Sequence, residues 1–288
     1  MEKSRVKRKI MWVLCFIAVL IAAAIVFFQI PYSPMRNTFL RDVQRHTDQS
    51  AMRGEFFTEQ DIKSLPEPVQ NHFRAAGIIG QPIMSKVSVH VPSAFIYQSV
   101  DSRPLILDYT VYLFAHRPVR IAYMNTSMFG IPFEAVDSFQ NGEGVMRGAI
   151  GKVIPLFNQT GTEMDRGQLL TYLGEVFLLP SAILGDFITW EPIDANHAKA
   201  TITYGELSGS GIFTFSDEGF VQSFRTDQRA AIHTDGTIEF LEWSAIIEGW
   251  KKGENGMYLP SSLKVVWHEP DVDFVYFIPN GDIIYRFN

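Results

Sequence analysis

Cysteine is almost missing from this sequence of 288 residues: Cys15 is the only one, and it lies inside an apolar run. A single cysteine excludes disulfides within the chain and structural zinc sites built on pairs of cysteines. Stability must therefore come from a hydrophobic core. An apolar fraction of 47% in a chain of this length is enough to form one.

Basic charge is scarce after the first nine residues. Five lysines and arginines against Glu2 give residues 2–9 a charge of +4, so the total of -6 leaves -10 for the rest of the chain. Proteins that bind nucleic acid present a basic face to the phosphates. The acidic body therefore argues against a nucleic-acid partner.

Motifs of the common enzyme classes are absent too. GELSGSG has no serine centred between glycines as GxSxG requires, and GEGVMRG lacks the spacing and the following helix of a dinucleotide site. The densest group of metal-ligand side chains is in WHEPDVDF, from Trp267 to Phe274, but its spacing fits neither HExxH nor the twelve-residue calcium loop. We therefore predict no cofactor and no metal site, and we interpret WHEPDVDF as a solvated acidic loop.

A long apolar run near the amino terminus predicts a membrane anchor. Residues Ile10 to Ile30 carry no formal charge, and as a helix they span about 30 Å, the thickness of the hydrocarbon core. The basic residues before the run predict a cytoplasmic amino terminus and an extracytoplasmic body. A cleaved signal peptide is the alternative, but its apolar core is about 7–15 residues long and precedes a small-residue site. We expect a retained, single-pass anchor in the cell membrane.

The rest of the chain predicts a β-rich domain. After Pro82, segments such as KVSVHV and LILDYTVYLF alternate apolar and polar residues between turn signals such as QNGEG. With the short helices before them, they predict a mainly β (α+β) fold: a large curved antiparallel sheet or open half-barrel with a few helices packed on one face. The predicted division is a basic cytoplasmic segment 1–9, an anchor 10–30, a juxtamembrane stalk 31–57 and an extracytoplasmic domain 58–288.

One predicted helix interrupts the strands and contains a carboxylate. LLTYLGEVFLLPSAIL, residues 169–184, follows Asp165, which can cap the helix, and Pro180 is expected to end it. Most apolar side chains share one side of this helix, whereas Thr171 and Glu175 lie on the other. Glu175 is therefore either a hydrogen-bonded acid on the outward side or a functional acid that lines a cavity.

Five segments carry a resemblance to a known family. They are LPEPVQNHFRAAGIIGQP, GEGVMRGAIGKVIPL, LLTYLGEVFLLPSAIL, WEPIDANHAKATI and YLPSSLKVVWHEPDVDFVYF, in this order from Leu65 to Phe277. Together they resemble an uncharacterised, mostly bacterial family of membrane-anchored proteins with a domain of unknown function. The family pattern places Tyr-Leu-x-Glu on the central helix, here Tyr172 to Glu175, and a tryptophan at the start of the next strand, here Trp190. The arrangement is also similar to the lipoprotein-carrier fold, but the resemblance implies no known activity.

The favoured hypothesis is a non-enzymatic, membrane-tethered domain that shelters a lipid or other apolar ligand of the cell envelope. Richness in aromatic residues and the lack of a catalytic constellation favour it. The candidate lining residues are Tyr172, Val176, Phe177 and Trp190, although core packing explains each of these side chains equally well.

Two alternatives stay open. One is a hydrolase-like envelope enzyme in which Glu175 is the acid or base, assisted by His268, Asp271 or Arg147. Arg147 alternates with apolar residues on a strand, where an arginine is more often an ion-pair partner than an anion clamp. The other alternative is an ectodomain that binds another protein through an exposed apolar patch.

Overall fold

A protruding apolar helix opens the chain. The computed structural model describes residues 2–50, 54–128, 130–232 and 236–288. Helix α1 (Glu2–Gln29) contains most of the predicted anchor, and its side chains Trp12, Phe16 and Val26 are each more than half exposed. Among the described residues, α1 is the one helix long and apolar enough to cross a membrane, a test that a signal sequence also passes.

Antiparallel strands form the body of the protein. The strands are β1 (Lys86–Ile96), β2 (Leu105–Phe114), β3 (Val119–Met128), β4 (Ile131–Gln140), β5 (Glu143–Ile150), β6 (Ile154–Gln159), β7 (Ile188–Pro192), β8 (His197–Tyr204), β9 (Leu207–Phe215), β10 (Val221–Thr226), β11 (Ala230–Ile232), β12 (Ile238–Phe240), β13 (Glu242–Lys252), β14 (Tyr258–His268), β15 (Asp273–Pro279) and β16 (Ile284–Phe287). The order in the main sheet is β6-β5-β4-β3-β2-β1-β15-β14-β13-β10-β9-β8-β7. Strand β16 also pairs with β1, and β11 with β12 forms a separate ribbon.

The predicted fold class is confirmed: the sheet is a large, curled, antiparallel half-barrel with a few helices. Its tight turns form where the sequence predicts them. Between β4 and β5, Asn141 and Gly142 both have positive φ, 54° and 88°, which is the conformation that an Asn-Gly hairpin turn requires. This turn sets the register of β4 on β5, in which Gln140 pairs with Glu143.

Helix α5 (Thr162–Glu175) lies inside the curve of the sheet. It packs against β4 and β5 on one side and against β8, β9, β10 and β13 on the other. Because strands cover both sides, Thr171 is only 6% exposed, and Leu178 in the following 3-10 turn (Val176–Leu178) is 9% exposed. The prediction of an outward polar strip on this helix is therefore wrong: a curled sheet buries a helix on more than one face.

The ends of α5 also differ from the predicted ones. The helix begins at Thr162, so Asp165 lies in its first turn, where its Oδ1 accepts a hydrogen bond from the backbone N of Gly144 at 2.7 Å. The helix ends at Glu175, before Pro180. Pro180 instead begins the short helix α6 (Pro180–Ile183), at a position where no backbone N–H is needed.

Helix α2 (Pro34–Gln49) packs on the outer face of the sheet. At its start, Ser33 Oγ accepts a hydrogen bond from Arg36 N at 2.9 Å and Pro34 lies in the first turn, both typical of a helix amino terminus. Its buried side chains Phe39 and Val43 join a small cluster formed by the strands. That cluster contains Phe114, Val119, Ile121, Tyr123 and Val136. The segment 31–57, of which 51–53 lie outside the described residues, thus includes a helix that is docked on the domain.

Two short helices, α3 (Glu59–Ile62) and α4 (Glu67–Ala75), precede the sheet and add to the main core. His72 of α4 is 1% exposed, and its Nδ1 accepts from Val221 N at 3.3 Å. Burial lowers the pKa of His72 to about 3, so the ring is neutral at physiological pH.

Candidate functional site

Glu175, at the carboxyl end of α5, is held by a buried arginine. Arg120 of β3 lies on the inner face of the sheet and is 3% exposed. Its Nε donates to Glu175 Oε2 at 2.8 Å and its Nη2 to Glu175 Oε1 at 3.0 Å, which makes a bidentate ion pair. Its Nη1 donates to Asp137 Oδ2 at 2.8 Å, and Nη2 also donates to the Tyr109 hydroxyl at 2.8 Å. Through Arg120 of β3, Glu175 therefore fixes the end of the inner helix to three strands, β2, β3 and β4.

The negative charges around Arg120 keep its guanidinium ionised. Burial by itself lowers the pKa of Arg120, but the nearby charges of Glu175 and Asp137 outweigh it and hold that pKa well above the usual range. Burial raises the pKa of Tyr109, which stays a neutral hydrogen-bond partner. The guanidinium is therefore permanently charged, and both oxygens of Glu175 are engaged with it.

The residues predicted to assist Glu175 do not meet it. Glu175 lies on the inner side of the sheet, whereas Arg147 pairs with Val136, whose side chain packs under α2 on the outer face. His268 makes its hydrogen bonds elsewhere, and Asp271 is exposed in the loop between β14 and β15. No described contact joins these three residues to Glu175, and the catalytic assignment stays a prediction.

His268 instead stands in a chain of hydrogen bonds with Ser244 and Asp273. Its Nε2 lies 2.8 Å from Ser244 Oγ and its Nδ1 lies 2.7 Å from Asp273 Oδ1, the connectivity of a serine-hydrolase triad. Yet Ser244 is 2% exposed and lies in β13, which is paired on both sides by β10 and β14. The backbone N–H groups around it are directed to those strands, so they do not form an oxyanion hole. The chain of bonds is best explained as a link between three strands.

A cleft of about 500 Å³ opens between the first half of α5 and the inner face of the sheet. This volume is within the range of about 300–1,000 Å³ that is typical of small-molecule sites. One part of its wall is apolar and includes Val100, Met146, Met164, Ile232, Leu241, Trp267 and Phe274. Another part is polar and includes Asp101, Glu163, Gln168, Arg229, Glu269 and Tyr276. The cleft therefore offers both apolar contact and hydrogen bonds.

Arg229 is the fixed cation of this cleft. Its guanidinium lies 4.9 Å from the ring centroid of Trp243 and 4.8 Å from that of Trp267, and its Nε donates to Thr171 Oγ1 at 3.2 Å. Two aromatic faces hold the planar group in place by cation–π attraction. Within the described ranges, no carboxylate lies at ion-pair distance from Arg229. Its Nη groups make no hydrogen bond to a residue that the structure describes, and they are the groups that a ligand in the cleft would meet.

Gln168 and Tyr276 add an acceptor and a donor. Gln168 is 2% exposed, and its Oε1 has no hydrogen-bond partner in the part of the chain that the structure describes. Leaving a buried polar atom unpaired costs about 1–3 kcal/mol, which a donor on a ligand would remove. Burial raises the pKa of Tyr276, so its hydroxyl keeps the proton and can donate it while accepting from Trp243 Nε1 at 3.0 Å.

The four apolar residues predicted to line a ligand site lie in the main core or, for Trp190, against it. The Tyr172 hydroxyl donates to Phe114 O at 2.8 Å, and Phe177 packs against Trp190, with ring centroids 6.1 Å apart. Val176 is 1% exposed. None of the four is in the wall of this cleft or of the two other described clefts, of about 650 and 230 Å³. Their contact with a ligand stays a prediction.

Comparison with known proteins places the chain in a family. A family model described as "Family of unknown function (DUF6544)" matches residues 55–278, most of the chain. The chain belongs to this family. The predicted membership of an uncharacterised family is thus confirmed, and the match to DUF6544 includes the cleft, Arg120 and Glu175. No curated protein matches the chain.

Solved structures with a similar arrangement are distant in sequence. A LolA superfamily protein from Nitrosomonas europaea shares 12% identity at a TM-score of 0.39, covering 76% of this chain and 91% of that one. A DUF1329 family protein from Desulfovibrio piger shares 7% at 0.40, covering 78% and 94%. A putative outer membrane lipoprotein-sorting protein domain from Vibrio parahaemolyticus shares 6% at 0.34, covering 70% and 84%. Likenesses this distant assign no function.

Proposed function

We propose that this protein is a membrane-anchored, extracytoplasmic domain that binds a single-chain amphiphile, such as a fatty acid or a lysolipid, in the cleft beside α5. The observation that carries the proposal is the mixed wall of that cleft. Apolar side chains line one part, and in another part, among the residues that the structure describes, the buried Gln168 Oε1 has no hydrogen-bond partner and the Arg229 guanidinium has no carboxylate at ion-pair distance. A ligand with an apolar tail and a polar head complements both parts.

The polar groups define the head of the ligand. A guanidinium clamped between two tryptophans suits a carboxylate or phosphate oxygen, which it binds with two parallel N–H donors. The Tyr276 hydroxyl offers a further donor, and Gln168 Oε1 accepts from a hydroxyl or amide of the ligand. Glu163 does not cancel this attraction, because Arg166 lies 3.2 Å from it in an ion pair. The exposed carboxylates of Asp101 and Glu269 stand at the rim, where solvent screens their charges.

The anchor and its orientation are part of the same proposal. The length and exposure of α1 suit a helix in lipid, and the lysines and arginines in its first turns favour a cytoplasmic amino terminus. The folded domain then lies outside, close to the membrane surface where single-chain amphiphiles are found.

Binding is proposed rather than catalysis because of the geometry of the two candidate catalytic groups. Both carboxylate oxygens of Glu175 accept hydrogen bonds from Arg120. Ser244 is 2% exposed, so its hydroxyl is buried. Neither group has access to a cleft that could hold a substrate.

Photocrosslinking tests the proposal in the membrane. A palmitate analogue with a diazirine in its tail is added to membranes that contain the full chain, and the labelled peptides are mapped after irradiation. We expect labelling on α5 and β14–β15, for example at Met164, Trp267 and Phe274. Arg229→Gln is expected to lower this labelling severalfold, because the head loses its cation.

The matched control is Arg225→Gln. Arg225 is an exposed arginine four residues away that pairs with Glu242 at 3.3 Å on the outer face, so this change is expected to leave labelling intact. Circular dichroism establishes that both variants are folded. Labelling confined to α1, or equal labelling of the two variants, would refute the proposal.

A further inference from the structure

An apolar hairpin lies beside the carboxyl end of α1. Strands β5 and β6 are joined by a short turn that contains Lys152, and Val153, Ile154 and Leu156 at and after the turn are each more than half exposed. Lys152, the one charged side chain from Ala149 to Phe157, is itself buried. The hairpin tip therefore presents a continuous apolar surface, at the free edge of the sheet.

Lys152 ties this tip to the end of α1. Its Nζ donates to Phe27 O at 3.0 Å and to Ile30 O, and it lies 5.4 Å from the centroid of the Phe27 ring. The last carbonyls of a helix have no partner within the helix, and a lysine there satisfies them and complements the helix dipole. Lys152 reaches them from a left-handed backbone conformation, with φ of 70°. The contact fixes the hairpin at the level where the chain leaves α1.

We propose that the tip of the β5–β6 hairpin is a second membrane contact, inserting Val153, Ile154 and Leu156 into the lipid head-group layer of the leaflet from which α1 emerges. The proposal rests on the anchor role of α1 in the proposed function. Because Lys152 holds the tip against Phe27 and Ile30, the apolar surface is continuous with the lipid-facing surface of the helix. Tyr32, 53% exposed, follows the helix at the same level, as is typical of aromatic side chains at the membrane interface.

The lipid surface also resolves a problem of the sheet edge. An exposed apolar edge strand in water is a template for aggregation, and soluble proteins protect such edges with charges or by covering them. Strand β6 has Pro155, which removes one backbone donor, but no charged side chain. Lipid head groups and acyl chains can cover its apolar side chains at the tip.

One consequence concerns access to the cleft. Met146 and Gln159, which pair across β5 and β6, are part of the cleft wall. Met146 lies four residues from Ile150 at the hairpin tip, about 13 Å along the strand. Insertion of the tip therefore brings the cleft within reach of amphiphiles in the same leaflet.

Spin labels on the full chain test the proposal. Three single-cysteine proteins are reconstituted into vesicles of phosphatidylcholine and phosphatidylglycerol: the native chain labelled at Cys15, and two Cys15→Ser chains with Ile154→Cys or Ile212→Cys. Ile212 is an exposed residue of β9, far from the hairpin in the sheet order. The measurement is the ratio of collisions with oxygen, which is concentrated in lipid, to collisions with a water-soluble nickel chelate.

We expect the ratio at position 154 to exceed that at position 212 severalfold and to lie between it and the higher ratio at Cys15. Adding Leu156→Asp should lower the ratio at position 154, with the circular dichroism spectrum unchanged. Equal ratios at positions 154 and 212 with a high ratio at Cys15 would overturn the hairpin contact and leave the anchor intact. A low ratio at Cys15 would remove the anchor, and the hairpin contact with it.

Discussion

Replacing Glu175 by glutamine tests whether this carboxylate is structural. The change leaves one acceptor but removes the negative charge opposite Arg120, which is 3% exposed. Removing one member of a buried ion pair typically costs about 3–5 kcal/mol, since the other charge stays buried. Asp137 still lies 2.8 Å from the guanidinium, and the Glu175 side chain is 20% exposed, so we expect a smaller loss of about 2–3 kcal/mol.

The assay is thermal unfolding of the full chain in detergent, followed by tryptophan fluorescence. For a domain of this size, 1 kcal/mol shifts Tm by about 2–4 °C, so Glu175→Gln should lower Tm by roughly 4–12 °C. The matched control is Glu191→Gln, which breaks an exposed contact with Lys199 and should cost less than about 0.5 kcal/mol. If the two variants have the same Tm, the proposed role of the Arg120–Glu175 pair in fastening α5 is refuted.

Three further predictions concern the core and the strands around it. The pKa of His72 in the folded protein lies below the ordinary value of 6.5, so as the pH falls the unfolded chain takes up a proton at this residue first. His72 should therefore lower the free energy of unfolding by about 2 kcal/mol at pH 5 relative to pH 8. Urea titrations at the two pH values should show that the His72→Gln variant lacks this part of the loss. Gly174→Ala should destabilise by about 1–3 kcal/mol despite a better helix propensity, because its Cβ would lie 2.9 Å from Phe224 Cδ1; a higher Tm would contradict this. A fluorophosphonate probe should leave Ser244 unmodified, since its hydroxyl is buried; an adduct found there by peptide mass spectrometry would reopen the hydrolase hypothesis.

The general architecture could be predicted from the sequence because its signals are local. A long uncharged run predicts α1, alternation of apolar and polar residues predicts strands, and Asn141-Gly142 predicts a hairpin. The sequence of strand β4 does not show this alternation of apolar and polar residues. Helices α5 and α2 cover its two faces, so Ala135 and Val136 are both buried and alternation is lost.

The candidate site could not be predicted because curvature of the sheet creates it. Arg120 and Glu175 are 55 residues apart in the chain, and no local pattern marks their contact. In the sequence, Arg229 is an isolated basic residue in a loop. Only the fold brings Trp243 and Trp267, from two strands, into contact with it. The same curvature explains the error about the outward side of α5. An amphipathic pattern predicts which side of a helix is most apolar but not how much of its circumference a curled sheet covers.

Native mass spectrometry of the full chain, released from detergent micelles, tests the central claim most directly. The cleft can be filled by Ala231→Trp, since Ala231 lies in its wall, and Ile212→Trp is the control for an added tryptophan outside it. We predict that the wild-type chain and Ile212→Trp each retain one bound amphiphile after all detergent has dissociated, and that Ala231→Trp retains none. A wild-type chain without any bound amphiphile, or equal retention by Ala231→Trp, would contradict the claim that this cleft is a binding site.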